Sequence, residues 1–152
     1  MRTHVRAAES QFCWRLASEL WKSFDWKKAK KDLFRLQKRV FKAVRDGDIG
    51  KARSLQKLIM KSRAAQMMAI RQVTQLNQGK KTAGVDGVKS MDYYERIKLA
   101  KRLQKEGNNW KHSGLREIPI PKKNGKTRIL KVPTLADRAW QCKREIRTRT
   151  SP

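Results

Sequence analysis

The chain has 152 residues, 39 of them Lys or Arg against 13 Asp or Glu, giving a formal net charge of +26 and a pI near 11.0. That length suits one small domain, or a helical domain plus a small second element, and 38% apolar residues with five tryptophans can build a core. A charge of this size repels itself in the compact state unless a polyanion neutralises it, and because it runs through helical segments instead of sitting beside a lipid-inserting stretch, nucleic acid is favoured over a membrane surface.

No window approaches the ~18 apolar residues of a spanning helix, and no apolar run near the N-terminus leads into a small-residue cleavage site. Cys13 and Cys142 lie far apart and outside any CxxC pair, and His4 and His112 fall at no ligand spacing, so neither a disulfide nor a metal site is expected.

Residues 1–24 place Phe12, Trp14, Leu16, Leu20, Trp21 and Phe24 among polar residues. This weak helical pattern predicts a short helix or an extension lying on the domain. From Trp26 the signal sharpens: Trp26, Ala29, Leu33, Leu36, Val40 and Val44 recur at steps of three or four, the period of one helical face. Asp25 can cap the exposed amides at its start, and Gly47 can take the left-handed position at its end. A second helix is expected over residues 49–76, with Ala52, Leu55, Leu58, Ile59, Ala65, Met68, Ala69 and Val73 as a broader stripe. The short turn between the two predicts an antiparallel helical hairpin.

Residues 26–81 carry seventeen Lys or Arg and three Asp or Glu. Lys31, Arg35, Lys38 and Lys42 fall on one side of the first helix, away from its apolar stripe, and Lys57, Lys61 and Arg71 do the same on the second. A charged helix face is ordinarily a solvated surface of mixed sign with intrahelical pairs. Here opposing charges are scarce, which makes the hairpin a candidate RNA contact surface.

Residues 77–87, NQGKKTAGVDG, break the pattern with three glycines and predict a structured loop. Their spacing does not match a Walker loop, and no predicted strand precedes them. A third helix is expected over residues 91–104, with Tyr94, Ile97 and Leu103 toward the core, followed by a polar connector over 106–113.

Residues 115–121 and 127–132 read as strands joined through 122–126, where Asn124 followed by Gly125 suits a tight hairpin turn. Pro119 and Pro121 restrict the first strand to an edge. The basic tip is equally consistent with a solubilising surface and with Lys122, Lys126 and Arg128 set against phosphates. Thr134 with Asp137 has the form of a helix cap. The helix it opens begins with Leu135, Ala136, Ala139 and Trp140 and is expected to dissolve into a basic tail.

Four stretches, in order, carry a family resemblance: DWKKAKKDLFRLQKRVFKAVRDGD, KARSLQKLIMKSRAAQMMAIRQVT, NQGKKTAGVDG and REIPIPKKNGKTRILKVPTLADRAWQ. Together they span most of residues 24–141, and the chain resembles the N-terminal part of the reverse transcriptase/maturase encoded by group II introns. The resemblance implies that the helical hairpin and the Gly-containing loop belong to the N-terminal extension and first finger motif. It places the basic hairpin in the fingers that precede the catalytic palm. It also implies intron RNA contacts at Lys31, Arg35, Lys38, Lys42, Lys57, Lys61 and Arg71, with Lys122 and Arg128 near template or incoming nucleotide.

Two departures stand out. Where the family commonly reads RPLGIPT, this chain has Arg128, Ile129, Leu130, Lys131, Val132, Pro133 and Thr134. The family's helix also continues past the pattern of Asp137, Arg138 and Gln141 into the palm, whereas here the apolar pattern stops.

The expected fold class is mostly α with a β-hairpin (α+β): an antiparallel helical hairpin followed by a small finger-like element, lacking the polymerase palm. The expected divisions are an extension over 1–24, a basic helical reverse-transcriptase N-terminal domain over 25–113, a finger-like hairpin and helix start over 114–141, and a basic tail over 142–152. Without the palm, Leu135, Ala139 and Trp140 are expected to lie bare, predicting aggregation or a protein partner.

Nucleotidyl transfer needs carboxylates that hold two metal ions. The sequence contains no Asp-Asp pair, and Asp86, Asp92 and Asp137 sit in turn or cap contexts. Cys142 lies near several arginines, a setting that can lower a thiol pKa, yet a basic tail explains those arginines without catalysis. No catalytic residue, metal or cofactor is therefore expected.

The expected function is an RNA-binding N-terminal fragment of a group II intron reverse transcriptase/maturase. Its expected partners are structured RNA, group II intron RNA foremost, and a separately encoded palm-containing chain. The expected location is the cytoplasm, or the matrix or stroma of an organelle. A structural basic protein of a large ribonucleoprotein and an inactive truncated remnant remain as alternatives.

Overall fold

Asp25 and Asp48 start the two helices that carry most of the early positive charge. Each carboxylate accepts a hydrogen bond from an amide three residues on, Lys28 at 2.9 Å and Lys51 at 3.0 Å, satisfying donors that a helix start leaves open. The resulting α2 (Trp26–Arg45) and α3 (Ile49–Lys61) are joined through Gly47 at φ +76°. Leu33 and Val40 of α2 pack with Leu55 and Ile59 of α3. Ala43 completes the buried stripe of α2, while Val44, expected there, is exposed.

This computed structural model describes residues 2–149, with side chains described over 11–149 apart from residue 80; residue 1 and residues 150–152 of the expected tail lie outside the described residues. Before α2 runs α1 (Arg2–Lys22), a full-length helix where a short one or an extension was expected. Its Ala17, Ser18 and Trp21 are buried, and it packs along α5 (Tyr93–Glu106). The Trp21 and Phe24 rings both meet Trp26 edge-on.

The single second helix expected over 49–76 does not form. Ser62 leaves the helical region at ψ 136°. Its hydroxyl donates to the Ile59 carbonyl at 2.8 Å and accepts from the Ala65 amide at 3.2 Å, so one residue ends α3 and caps α4 (Arg63–Arg71). Helical periodicity survives this break because both pieces bury a face, which is why the apolar stripe alone does not reveal it. The redirected α4 runs through the centre, with Ala65, Met67, Ala69 and Ile70 fully buried against α2, α5 and the last helix, α6 (Leu135–Thr148). A π-helical turn, Gln72–Leu76, and a 3-10 turn, Gln78–Lys81, follow.

In α5 the capping box of Asp92 and Glu95 sets the start. Ile97 and Leu103 are buried as expected, but Tyr94 is exposed; Tyr93 packs instead, edge-on to Trp14 at 6.0 Å.

Strands β1 (Arg116–Pro121) and β2 (Thr127–Val132) form one antiparallel hairpin with Arg116 opposite Val132 and Pro121 opposite Thr127. Gly125 takes φ +75° at its turn. Ile118 is half-buried and Val132 buried at the base, and the rest of the hairpin is exposed. The fold is mostly α with this one β-hairpin.

The last helix, α6 (Leu135–Thr148), runs well beyond the point where its apolar pattern ends. Leu135 and Ala139 are fully buried, and Trp140 is half-buried with its indole N–H on the Gly107 carbonyl at 3.0 Å. The expected bare surface at these three residues is therefore absent, because α4 and its neighbours in the core cover it. Large exposed apolar side chains lie elsewhere, among them Phe12, Leu16 and Leu20 on α1, Phe34 and Phe41 on α2, Leu58 on α3, and Ile120, Ile129 and Leu130 on the hairpin. Among the described residues no helix is long and apolar enough to cross a membrane, and no cluster of His, Cys, Asp and Glu could hold a metal ion.

Candidate nucleic-acid interface

The ten basic residues singled out from sequence occupy four places. Lys31, Arg35, Lys38 and Lys42 form an exposed stripe along α2, where Arg35 lies 3.9 Å from Asp32 and the Lys38 ammonium sits 4.6 Å over the Phe34 ring. Lys122, Lys126 and Arg128 are exposed at the hairpin tip. Lys57 and Lys61 lie on α3. Arg71 does not share their face: it belongs to α4, is half-buried, and stacks over Trp26 at 4.7 Å. The break at Ser62 causes this separation, since residues beyond it no longer follow the rotation of α3.

Lys57 and Lys61 form one wall of a groove of about 780 Å³ between α3 and the α5–α6 pair. The same wall carries Arg53; the opposite side carries Lys105 from α5 with Arg144 and Arg147 from α6, and Lys143 lies at the floor. No Asp or Glu lines it, and none of the described ion pairs involves these cations. Sequence spacing found only Lys57 and Lys61. Arg53 stands one turn before Lys57 on the same helix and was passed over, while Lys105 lies more than 40 residues further on and Lys143, Arg144 and Arg147 come from the tail expected to be irregular, so no local pattern joins these four to α3.

Lys143 is 2% exposed. Its ammonium donates to the Leu103 carbonyl at 3.0 Å, and burial lowers its pKa from the ordinary lysine value. The close packing of Gly107 shapes this floor, since a Cβ there would stand 2.6 Å from the Leu103 carbonyl oxygen and 3.1 Å from Lys143 Nζ. Nearby, the Arg147 Nε–H is shielded from solvent and has no hydrogen-bond acceptor. A buried cation such as Lys143, whose partner is a neutral carbonyl, is incompletely satisfied, and an anion oxygen is the group that completes it.

Several arginines stack on tryptophan rings: Arg96 on Trp21 at 5.1 Å, Arg102 on Trp110 at 4.2 Å and, in the groove itself, Arg144 on Trp140 at 4.8 Å. Cation–π contact fixes such a guanidinium plane and leaves its edge able to donate outward. Arg138 is more fully engaged: it donates to the carbonyls of Pro133 at 3.0 Å, Gly79 at 2.9 Å and Thr82 at 2.6 Å. It thus staples the glycine loop to α6. Its neighbour Asp137 is buried and accepts from Trp110, Ser113 and Thr134.

The Cys142 thiol pKa is raised, by burial first and then by Glu145, against a smaller opposing effect of Arg149. The lowered value that nearby arginines could have produced is not what the fold gives.

The chain matches the N-terminal domain of reverse transcriptase over residues 21–103. It is 39% identical over 121 residues to maturase-like protein 1 of Euglena gracilis, covering 80% of this chain and 26% of that protein. It is 33% identical over 118 residues to maturase-like protein 1 of Euglena longa, covering 78% of this chain and again 26% of the relative. The chain thus spans about a quarter of the length of these relatives.

Proposed function

From the premise that this chain belongs to the reverse transcriptase N-terminal domain family and is an N-terminal region of group II intron maturase type, we propose that it grips intron RNA. The observation that carries this reading is the groove between α3, α5 and α6, where seven basic side chains converge without a carboxylate. Such an arrangement holds phosphates, releases condensed counterions on binding, and makes affinity fall steeply with salt. The exposed stripe of Lys31, Arg35, Lys38 and Lys42 and the tip residues Lys122, Lys126 and Arg128 extend the same electrostatic surface. In an A-form helix the major groove is too narrow for side chains, so backbone and shape dominate recognition of structured RNA.

Polymerisation by this chain alone is not part of the proposal. Two-metal nucleotidyl transfer requires convergent carboxylates, whereas Asp92 caps α5, Asp86 accepts from the Val88 amide and Asp137 is enclosed by its donors. A palm-containing polypeptide is the proposed protein partner. The proposed location is wherever intron RNA resides, the cytoplasm or the matrix or stroma of an organelle.

Competition binding tests this reading. Labelled group II intron RNA is challenged with excess transfer RNA and duplex DNA at two salt concentrations. Intron RNA that resists competition as salt rises supports a specific grip. Equal displacement by every competitor, with affinity collapsing in salt, overturns it in favour of unspecific polyanion binding.

A further inference from the structure

Charge is only part of what lines the groove between α3 and the α5–α6 pair. The amides of Gln56, Gln104 and Asn108 lie among its cations, and Met60 and Leu103 supply apolar surface. Cations suit phosphates, amides suit base edges, and apolar side chains suit base faces. A surface that meets only duplex backbone has no use for the apolar side chains, because the base faces of a duplex are stacked out of reach. Single strands expose all three.

The size of the groove argues the same way. Its 780 Å³ falls within the range of about 300–1,000 Å³ typical of pockets that enclose one compact ligand. That is room for about two unpaired nucleotides.

Resting on the RNA-binding reading above, we propose that this groove is a seat for a single-stranded RNA segment. Its phosphates lie between the Arg53, Lys57 and Lys61 wall and the Arg144 and Arg147 wall, and the amides meet its bases. Lys143 acts from beneath: its ammonium has a carbonyl for a partner and no carboxylate, so an arriving phosphate supplies the missing counter-charge. The unpartnered Arg147 Nε–H gains an acceptor in the same step. This division of labour leaves the α2 stripe, which is convex and exposed, to meet duplex regions of the same RNA.

The test uses the full chain with two labelled probes of equal length, an unstructured single-stranded RNA and a blunt RNA duplex, followed by fluorescence anisotropy over a salt series. Two multiple variants are compared, Lys57→Gln with Lys61→Gln and Arg147→Gln in the groove, and Lys31→Gln with Lys38→Gln and Lys42→Gln on α2. The groove variant is expected to weaken single-strand binding about 100-fold and to lower its salt slope by about 2, while duplex binding changes by less than about threefold. Equal losses on both probes, or an unchanged single-strand affinity, overturn the groove assignment.

If only the α2 variant loses RNA, the RNA-binding reading stands and the groove proposal falls. If the unaltered chain binds neither probe, the RNA-binding reading itself falls. Should the groove variant fail to fold by circular dichroism, photocrosslinking of 4-thiouridine single-stranded RNA to the unaltered chain decides. Adducts within 53–61 and 104–108 support the seat, and adducts confined to α2 or the hairpin overturn it.

Discussion

Trp110 donates its indole N–H to the Asp137 carboxylate at 2.7 Å, tying the connector after α5 to the first turn of α6 across 27 positions of sequence. The same carboxylate accepts from the Ser113 amide and the Thr134 hydroxyl, each at 3.0 Å, and lies 3.3 Å from His112 Nδ1. His112 in turn meets Trp140 edge-on at 4.6 Å. One buried acid therefore fixes the connector, the cap of α6 and the aromatic cover over that helix.

Burial by itself would raise the Asp137 pKa; the hydrogen bonds from Trp110, Ser113 and Thr134, together with the His112 charge, outweigh it and hold the value below the ordinary 3.8. A carboxyl lowered on folding contributes stability that is complete above its unfolded value and is lost as pH falls through its folded value. Asp137→Asn is expected to cost about 2–3 kcal/mol at neutral pH, since charge-assisted bonds are lost and an amide donor faces other donors. In urea melts at successive pH values, the gap between the two proteins should close as acid protonates the native carboxyl. A gap independent of pH would show that the carboxylate charge is not what holds this junction.

Gly84 is enclosed, and a Cβ there would lie 2.7 Å from Thr134 Cα and 2.8 Å from its amide nitrogen. Gly79, in the same loop, has open space around it. Gly84→Ala is expected to destabilise by about 1–3 kcal/mol as backbone is forced apart, and Gly79→Ala by less than about 0.5 kcal/mol. Denaturant midpoints of the two variants check the contrast, and equal midpoints would show that the loop can withdraw from α6 without cost.

The lowered pKa of Lys143 has the opposite sign of consequence. With its folded value depressed by burial, the unfolded chain binds the proton more tightly, so stability rises as pH climbs through the alkaline range. Lys143→Met, similar in length and uncharged, should lack that rise. Thermal melts of both proteins between about pH 7 and 10 should show the unaltered chain gaining on the variant. Parallel curves would mean that the ammonium is as well accommodated inside as in water.

The hairpin tip should be separable from the fold. Lys122, Lys126 and Arg128 are exposed, and none is engaged by a described ion pair. Changing all three to Gln is expected to alter stability by less than about 0.5 kcal/mol. Each tip contact to RNA that is lost should reduce the logarithmic salt slope by roughly 0.7–0.9. An unaltered slope would assign the tip to solubility alone.

Local chemistry was legible wherever a single residue does a single local job. Asp25 caps α2, Gly47 takes the left-handed turn and Gly125 closes the hairpin, because each depends on backbone geometry within a few positions. Ser62 escaped notice because its amphipathic surroundings satisfy one continuous helix as readily as two. Lys143 and the length of α6 escaped for a related reason: a polar residue reads as exposed until a distant partner, here the Leu103 carbonyl, makes burial possible. Tyr93 and Tyr94 exchange roles for want of a register that only packing along α1 supplies.

By itself the sequence determined the mostly helical class with one β-hairpin, the start of α2 and the hairpin turn, the excess of positive charge and the family resemblance, since periodicity, capping and composition act over short stretches and need no knowledge of what lies opposite. Only the tertiary structure decided which charges meet. Packing around α4 brings Arg53, Lys57 and Lys61 opposite Lys105, Arg144 and Arg147, and directs Arg71 onto Trp26 and Arg138 onto three carbonyls. The distance between two side chains far apart in the chain is set by the helices between them, and an electrostatic site is a matter of those distances.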